Sequence, residues 1–363
     1  MKIFFTPGPT QLYPSVSQHI TNALNQQICS ISHRSPDFQE ILKQTVSNIK
    51  ELMGIPTGFK IFFHASATEI WERLLQNCVS NQSFHFVNGS FSDRYYKAAK
   101  QLKLQAMAKE ADWGEGFQFQ KRQIPSDVEM INFTHNETST GVMLPVEEIH
   151  AFRESHPQAL ITVDMVSSAP YINLDWCKID AGYFSVQKCF GLPAGLGVLA
   201  LNQRCLQKEA LLRQQGLSTG TYHSFQAQYE KAIKNQTVET PNMLAIYLLG
   251  KVCEDMLSLG IARIRKETEV RANRLYTYFE QHPEYTPFVA DPRFRSKTVV
   301  LVDTAKGSQK LISYLAERGL IVGDGYGKMK GKQIRIANFP AISMMDIERL
   351  IKGIENFSTG NKE

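Results

Sequence analysis

Lys188 closes the apolar run Tyr183-Phe184-Ser185-Val186-Gln187 and stands before a glycine-rich turn, Cys189-Phe190-Gly191-Leu192-Pro193-Ala194-Gly195-Leu196-Gly197. A lysine on a stiff element, with small and apolar surroundings, has its amine placed for chemistry, because desolvation disfavours the ammonium form. Upstream, Ala159-Leu160-Ile161-Thr162-Val163 reads as a buried strand and ends in the carboxylate of Asp164. A bare acid there is costly unless it is paired. A helix cap or a buried ion pair would occupy it, and so would a cationic ring. Together the two residues match a pyridoxal phosphate site, in which an amine bonds the cofactor aldehyde and an anion partners the pyridine nitrogen.

Such a site also needs donors for a phosphate and a flat contact for the ring. His64-Ala65-Ser66-Ala67-Thr68 follows a strand and opens an amphipathic helix. Backbone N–H groups and two hydroxyls therefore converge at a helix N-terminus, although an ordinary N-cap uses the same residue types. Gln187 adds a donor beside the lysine. Phe91, in Asn88-Gly89-Ser90-Phe91-Ser92-Asp93-Arg94, follows a strand and is placed either to stack on the ring or to fill the core.

The elements that must hold these residues are legible as a pattern. Ser35-Pro36 starts a helix whose apolar positions Phe38, Ile41, Leu42, Val46, Ile49, Leu52 and Met53 recur at three- and four-residue spacing until Gly54. Apolar runs at Phe59 to Phe63, Phe84 to Val87, Met130 to Phe133 and Leu160 to Val163 then alternate with amphipathic stretches beginning near Ala67, Ser92, Pro145 and Asn202. This alternation predicts an α/β architecture with crossover connections and a mostly parallel sheet covered on both faces. After Thr240-Pro241 the character changes. Two long helical patterns run to about His282 with a break at Gly260, followed by strands at Thr298 to Val302 and Ile334 to Ala337 and helices near Gln309 to Arg318 and Met344 to Asn356. A smaller C-terminal domain is expected there, joined by the N-terminal arm, with disorder only in the last few residues.

At 363 residues the chain is longer than one core usually grows, which also favours two packed regions. The net charge of +5 is spread without a basic block, so nucleic acid is not an expected partner. The six cysteines, Cys29, Cys78, Cys177, Cys189, Cys205 and Cys253, lie far apart without CxxC spacing. No disulfide framework or metal site is expected, and reduced thiols fit a cytoplasmic location. The opening apolar run is too short and too soon broken by proline for a signal peptide, and no stretch is expected to span a membrane.

Several segments carry a family resemblance. Ser32-His33-Arg34-Ser35-Pro36-Asp37-Phe38, Asn136-Glu137-Thr138, Asp164-Met165-Val166-Ser167-Ser168, Gln187-Lys188 with Gly191-Leu192-Pro193-Ala194-Gly195-Leu196, and Thr240-Pro241 resemble, in order, the landmarks of the phosphoserine aminotransferases. The opening Thr6-Pro7-Gly8-Pro9-Thr10 is similar to the wider class V aminotransferases, including those acting on alanine, serine and glyoxylate. The resemblance implies a fold type I pyridoxal phosphate dependent transferase. Its large domain, residues 16–257, would carry a mostly parallel seven-stranded sheet, and residues 1–15 with 258–363 would form the smaller α/β domain.

By position, the resemblance makes Lys188 the lysine that condenses with the cofactor, Asp164 the partner of the ring nitrogen and Phe91 the stacking residue. Ala67, Thr68 and Gln187 would line the phosphate cup, Thr138 would sit near the ring oxygen, and Thr240 would reach the phosphate of a partner subunit. The implied assembly is a homodimer with active sites at the interface. Arg335 matches the arginine that forks onto the substrate α-carboxylate, and His33 and Arg34 match the pair facing a distal acidic group. Two departures stand out. Glu239 replaces the family asparagine before Thr240, and Lys328-Met329-Lys330-Gly331-Lys332 replaces a His-Arg pair before the Arg335 strand. The implied reaction is transamination between an amino acid and a 2-oxo acid, with phosphoserine and 2-oxoglutarate in serine biosynthesis as the first pair. Serine or alanine with glyoxylate or pyruvate is the alternative within the class. A lyase and a non-catalytic binding protein are the remaining readings.

Overall fold

The computed structural model describes residues 2–119 and 124–360, so the tail expected to be disordered, from 361 onward, lies outside the described residues. The first half of the chain gives β1 (Ile3–Phe5), α1 (Val16–Asn25), α2 (Pro36–Met53), β2 (Lys60–His64), α3 (Ala67–Cys78), β3 (Gln82–Val87), α4 (Ser90–Gln101), β4 (Gln105–Glu110), β5 (Met130–Thr134), β6 (Asn136–Glu137) and β7 (Val142–Met143). Next come α5 (Val146–His150), α6 (Phe152–Ser155), β8 (Leu160–Asp164), β9 (Ala181–Ser185), β10 (Gly197–Leu201), α7 (Gln203–Gln214), α8 (Phe225–Ala232), α9 (Met243–Leu259) and α10 (Ile261–Gln281). The chain finishes with β11 (Tyr285–Pro287), β12 (Val299–Thr304), α11 (Gln309–Glu317), β13 (Leu320–Asp324), β14 (Gln333–Ala337) and α12 (Met344–Thr359).

A seven-stranded sheet of order β2-β10-β9-β8-β5-β3-β4 forms the scaffold. The pairs β3 with β4, β3 with β5, β5 with β8 and β8 with β9 are parallel. Strands β5, β8, β9 and β10 are buried along their whole length, as expected of a sheet covered on both faces. The one reversal is β10, which runs antiparallel to both β9 and β2. It follows from the connection: β9 and β10 are joined by the turn that carries Lys188, with no crossover helix to return the chain in a parallel sense. At the other edge, β4 is largely polar and only partly buried, which suits an unpaired edge.

The second sheet has the order β1-β13-β14-β12-β11. Its strand β1 comes from the N-terminal arm and pairs in parallel with β13, Ile3 opposite Leu320 and Phe5 opposite Val322. A separate apolar cluster, including Phe5, Leu275, Phe279, Val300, Val302, Ile334, Ile336, Leu350 and Ile354, packs this sheet against α10 and α12.

Helix α2 illustrates how local sequence sets an element. Ser35 caps it by accepting from the Phe38 N–H at 3.3 Å, Pro36 fits its first turn, and the chain leaves it at Gly54. Its buried face, Phe38, Leu42, Ile49 and Leu52, meets α9, where Thr45 Oγ1 donates to the Ile246 carbonyl at 3.2 Å. The helix expected near Ser92 begins two residues earlier, at Ser90, because Glu137 accepts the N–H groups of its first turn. The stretch from Pro145 forms two short helices, α5 and α6, rather than one. Among the described residues no helix is long and apolar enough to cross a membrane.

Candidate active site

Lys188 and Asp164 both leave the C-terminal ends of neighbouring strands, the place where open α/β sheets form their binding crevices. The lysine is 7% exposed, and its Nζ donates to Thr138 Oγ1 at 2.7 Å. The same amine lies 5.0 Å from the centre of the Phe91 ring. The N-terminal arm closes over its stem: a Cβ on Gly8 would stand 3.1 Å from Lys188 Cε. Burial pulls the amine down to about 8, outweighing the opposing attraction of Asp164 and Glu137. An amine with that value is far more available as a nucleophile near neutral pH than a surface lysine.

Asp164 is 3% exposed and has no ion-pair partner in direct contact among the described residues. It accepts from Trp71 Nε1 at 3.1 Å and from the Val166 N–H at 2.9 Å. Burial nonetheless pushes its carboxyl up to about 6, so these two donors and the nearby lysine do not fully offset desolvation. A buried acid held this way is suited to a cationic ring nitrogen, which would supply the missing countercharge. Trp71 itself is stacked on Tyr95, ring centroids 5.4 Å apart. Sequence reasoning missed Trp71, since its position on α3 reads only as core.

Phe91 is set by the start of α4. The Glu137 carboxylate, fully buried, accepts from the N–H groups of Phe91 at 3.1 Å and Ser92 at 2.9 Å, and from the Ser139 hydroxyl at 2.7 Å. An acid at a helix N-terminus is favoured by the unpaired N–H groups and the helix dipole. Glu137 was visible in the Asn136-Glu137-Thr138 segment, but this partnership spans more than forty residues and leaves no local signal.

At the start of α3, Ser66 caps the helix by accepting from the Glu69 N–H at 3.2 Å. The Ala67 N–H is already engaged, donating to Ser185 Oγ at 2.8 Å, so it is not an open donor. Thr68 is exposed, and neither its N–H nor its hydroxyl has a hydrogen bond among the described residues. Gln187 is half-buried with its side-chain amide likewise free. An open helix N-terminus with two free donor sets is a suitable anion site.

Arg335 approaches the same crevice from β14. Its Nε donates to the Asp324 carbonyl at 2.7 Å, while its terminal nitrogens have no acceptor among the described residues. Its guanidinium lies 5.2 Å from the Tyr326 ring centre, and that ring is 5.4 Å from the ring of Phe91. Tyr326, which no sequence pattern marked, thus joins Arg335 to the residue beside Lys188. The loop that carries it is pinned by Asp324 Oδ1, which accepts from the Gly325 N–H at 2.8 Å and the Gly331 N–H at 2.9 Å. Lys328 on this loop turns to Trp113, its amine 4.9 Å from the ring centre.

His33, Arg34 and Thr240 form a second group. Thr240 Oγ1 lies 3.3 Å from His33 Nδ1, and the Arg34 guanidinium donates to Gln236 Oε1 at 3.1 Å and to the Thr237 carbonyl at 2.7 Å. None of their hydrogen bonds reaches Lys188, Thr138 or Asp164 within the chain. Glu239 points to His223, with Oε2 3.8 Å from its Nε2.

This arrangement can be set beside known proteins. The sequence model of the class V aminotransferases matches residues 3–334. A phosphoserine aminotransferase from Cytophaga hutchinsonii is 48% identical, with 98% of each chain covered and a TM-score of 0.95. Among curated sequences, a phosphoserine aminotransferase from a Nocardioides species is 27% identical over 358 residues, covering 97% of this chain and 94% of the relative. An aspartate aminotransferase from Thermus thermophilus, 21% identical with 99% of each chain covered, shares the fold at a TM-score of 0.85. Fold and site define a fold type I enzyme that uses pyridoxal phosphate. The chain belongs to the class V aminotransferases.

Proposed function

We propose that this aminotransferase moves the amino group of phosphoserine to 2-oxoglutarate, a step of serine biosynthesis. The observation that carries the substrate assignment is the 48% identity, over 98% of the chain, to the phosphoserine aminotransferase of Cytophaga hutchinsonii. Pyridoxal phosphate supplies an electron sink for the charge left when the substrate Cα loses its proton.

The residues of the crevice have matching tasks in this reading. Lys188 would hold the cofactor through Nζ and would carry the substrate Cα proton on the same atom; an amine pulled down to about 8 suits both tasks. Thr138 orients that amine. Asp164 would hold the ring nitrogen of the cofactor protonated, and Phe91 would support the ring face. Thr68 and Gln187 donate to the phosphate, with Ala67 shaping the cup. Arg335 takes the α-carboxylate in its free fork. His33 and Arg34 face the distal acidic group, and Thr240 serves the phosphate of the partner subunit, since its own contacts lie away from Lys188.

The same reading makes the enzyme a cytoplasmic homodimer, in keeping with cysteines that are all free. Its large domain spans residues 16–257, and 1–15 with 258–363 make the small one. A panel of amino donors and acceptors tests the substrate. Phosphoserine with 2-oxoglutarate should give the highest kcat/KM; a preference for serine or alanine with glyoxylate or pyruvate overturns the assignment.

A further inference from the structure

His64, the last residue of β2, Glu69 in the first turn of α3, and His223 in the loop before α8 converge beside the phosphate cup. One ligand atom from each lies within 4.8 Å of the other two. Glu69 Oε1 is 2.8 Å from His223 Nδ1 and 3.6 Å from His64 Nδ1. A tetrahedral zinc ion with bonds of 2.0–2.1 Å sets its ligands about 3.3 Å apart, so the observed separations straddle the value required.

A plain hydrogen-bonded cluster does not account for His64. Its side chain is fully buried, yet neither ring nitrogen has a hydrogen-bond partner. Burying an imidazole with both nitrogens unpaired is unfavourable, and a metal ion facing Glu69 would give Nδ1 a partner and remove that part of the cost. The surroundings also have the form expected around metal ligands. Glu69 Oε2 accepts from the Ala65 N–H at 3.0 Å, which fixes the carboxylate and leaves Oε1 directed at the two imidazoles. Behind His223, on its other nitrogen, stands Glu239, whose Oε2 is itself buried and unpartnered.

We propose that His64, Glu69 and His223 bind a divalent transition-metal ion, with zinc as the occupant, that ties the end of β2, the first turn of α3 and the loop before α8 together. Two imidazoles and one carboxylate favour zinc over calcium or magnesium, which prefer all-oxygen shells. Water completes the coordination from the side of Glu69 and His223, both partly exposed. The N-terminus of α3 carries only about half a positive charge, which the full negative charge of Glu69 exceeds. No sequence pattern announces such a site, because the two histidines are far apart along the chain.

The test uses the cofactor-loaded enzyme, stripped with a chelator, titrated with zinc and analysed for bound metal, with X-ray absorption at the zinc edge. About one zinc per chain with nitrogen and oxygen ligands is expected. Both Glu69→Gln and His223→Gln should weaken zinc binding by at least about tenfold while the visible cofactor band, which reports an intact fold, is retained. No tight zinc binding by the wild type, sulfur ligands at the zinc edge, or an affinity unchanged in both variants would overturn the proposal. Zinc content is read independently of amino-group transfer, so this result stands apart from the choice of substrate.

Discussion

Gly89 and Glu137 are packed so closely that a Cβ at position 89 would stand 2.4 Å from Glu137 Cγ. The contact explains how a fully buried carboxylate reaches the first turn of α4 and takes the N–H groups of Phe91 and Ser92. Position 89 has an extended backbone, so the requirement is for space and not for an unusual conformation. Gly89→Ala is therefore expected to displace Glu137, leave buried donors unpaired and shift Phe91 away from Lys188. The expected cost is about 2–4 kcal/mol of stability with at least about tenfold weaker cofactor binding, measured by denaturant unfolding and by titration with pyridoxal phosphate.

Lys188 makes stability depend on pH in a defined direction. Its folded value of about 8 lies below the ordinary 10.5, so between those limits the unfolded chain binds more protons and the cofactor-free protein gains stability as pH rises. Lys188→Met has no such group. Cofactor-free Lys188→Met should be more stable than the wild type near neutral pH, by up to about 3 kcal/mol, and the gap should close as pH rises through this window. Unfolding curves of the two proteins across that range are the check. A constant gap would refute the depressed lysine, and the variant should also fail to develop the visible band on adding cofactor.

Asp164 works in the opposite sense. Its carboxyl is raised to about 6 from the ordinary 3.8, so the folded cofactor-free protein binds the extra proton and loses stability as pH rises across that interval. A cationic ring nitrogen would reverse the penalty, so cofactor affinity should fall as pH drops through about 6. Trp71→Phe removes the indole donor to Asp164, a hydrogen bond to a charged group that contributes about 1.5–3 kcal/mol. The pH at which cofactor is released should then move upward. Spectroscopic titration of both proteins decides it, and an identical midpoint would mean that Trp71 only fills space.

How much of this was legible follows from where each signal lies. Asp164 ends β8 and Lys188 stands three residues beyond β9, each after a largely apolar run that is continuous in sequence, and α2 carries its cap, periodicity and stop in one segment. Strand β4, Gln105-Ala106-Met107-Ala108-Lys109-Glu110, escaped because an edge strand needs no apolar face to distinguish it. The reversal at β10 depends on the path of a turn, not on residue types. Trp71 beside Asp164, Glu137 beside Phe91 and Tyr326 between Phe91 and Arg335 are contacts between distant segments, which periodicity does not encode. Family resemblance supplied positions for such residues only where a motif already marked them.

Thr240 offers a test of the dimer that does not depend on measuring size. Within its own chain it is exposed and lies beside His33, with no hydrogen bond to the lysine; in the proposed dimer its hydroxyl serves the phosphate of the other subunit. Thr240→Ala should weaken cofactor binding by about tenfold or more through loss of a hydrogen bond to a charged group. Lys188→Ala should abolish turnover in its own site. On the proposed dimer, co-expression of the two variants gives hybrids in which one site has neither group and the other has Lys188 of one subunit with the intact Thr240 of its partner. Activity at limiting cofactor should therefore exceed the sum of the two variants assayed separately. If both groups acted within one chain, every site would lack one of them and mixing would restore nothing.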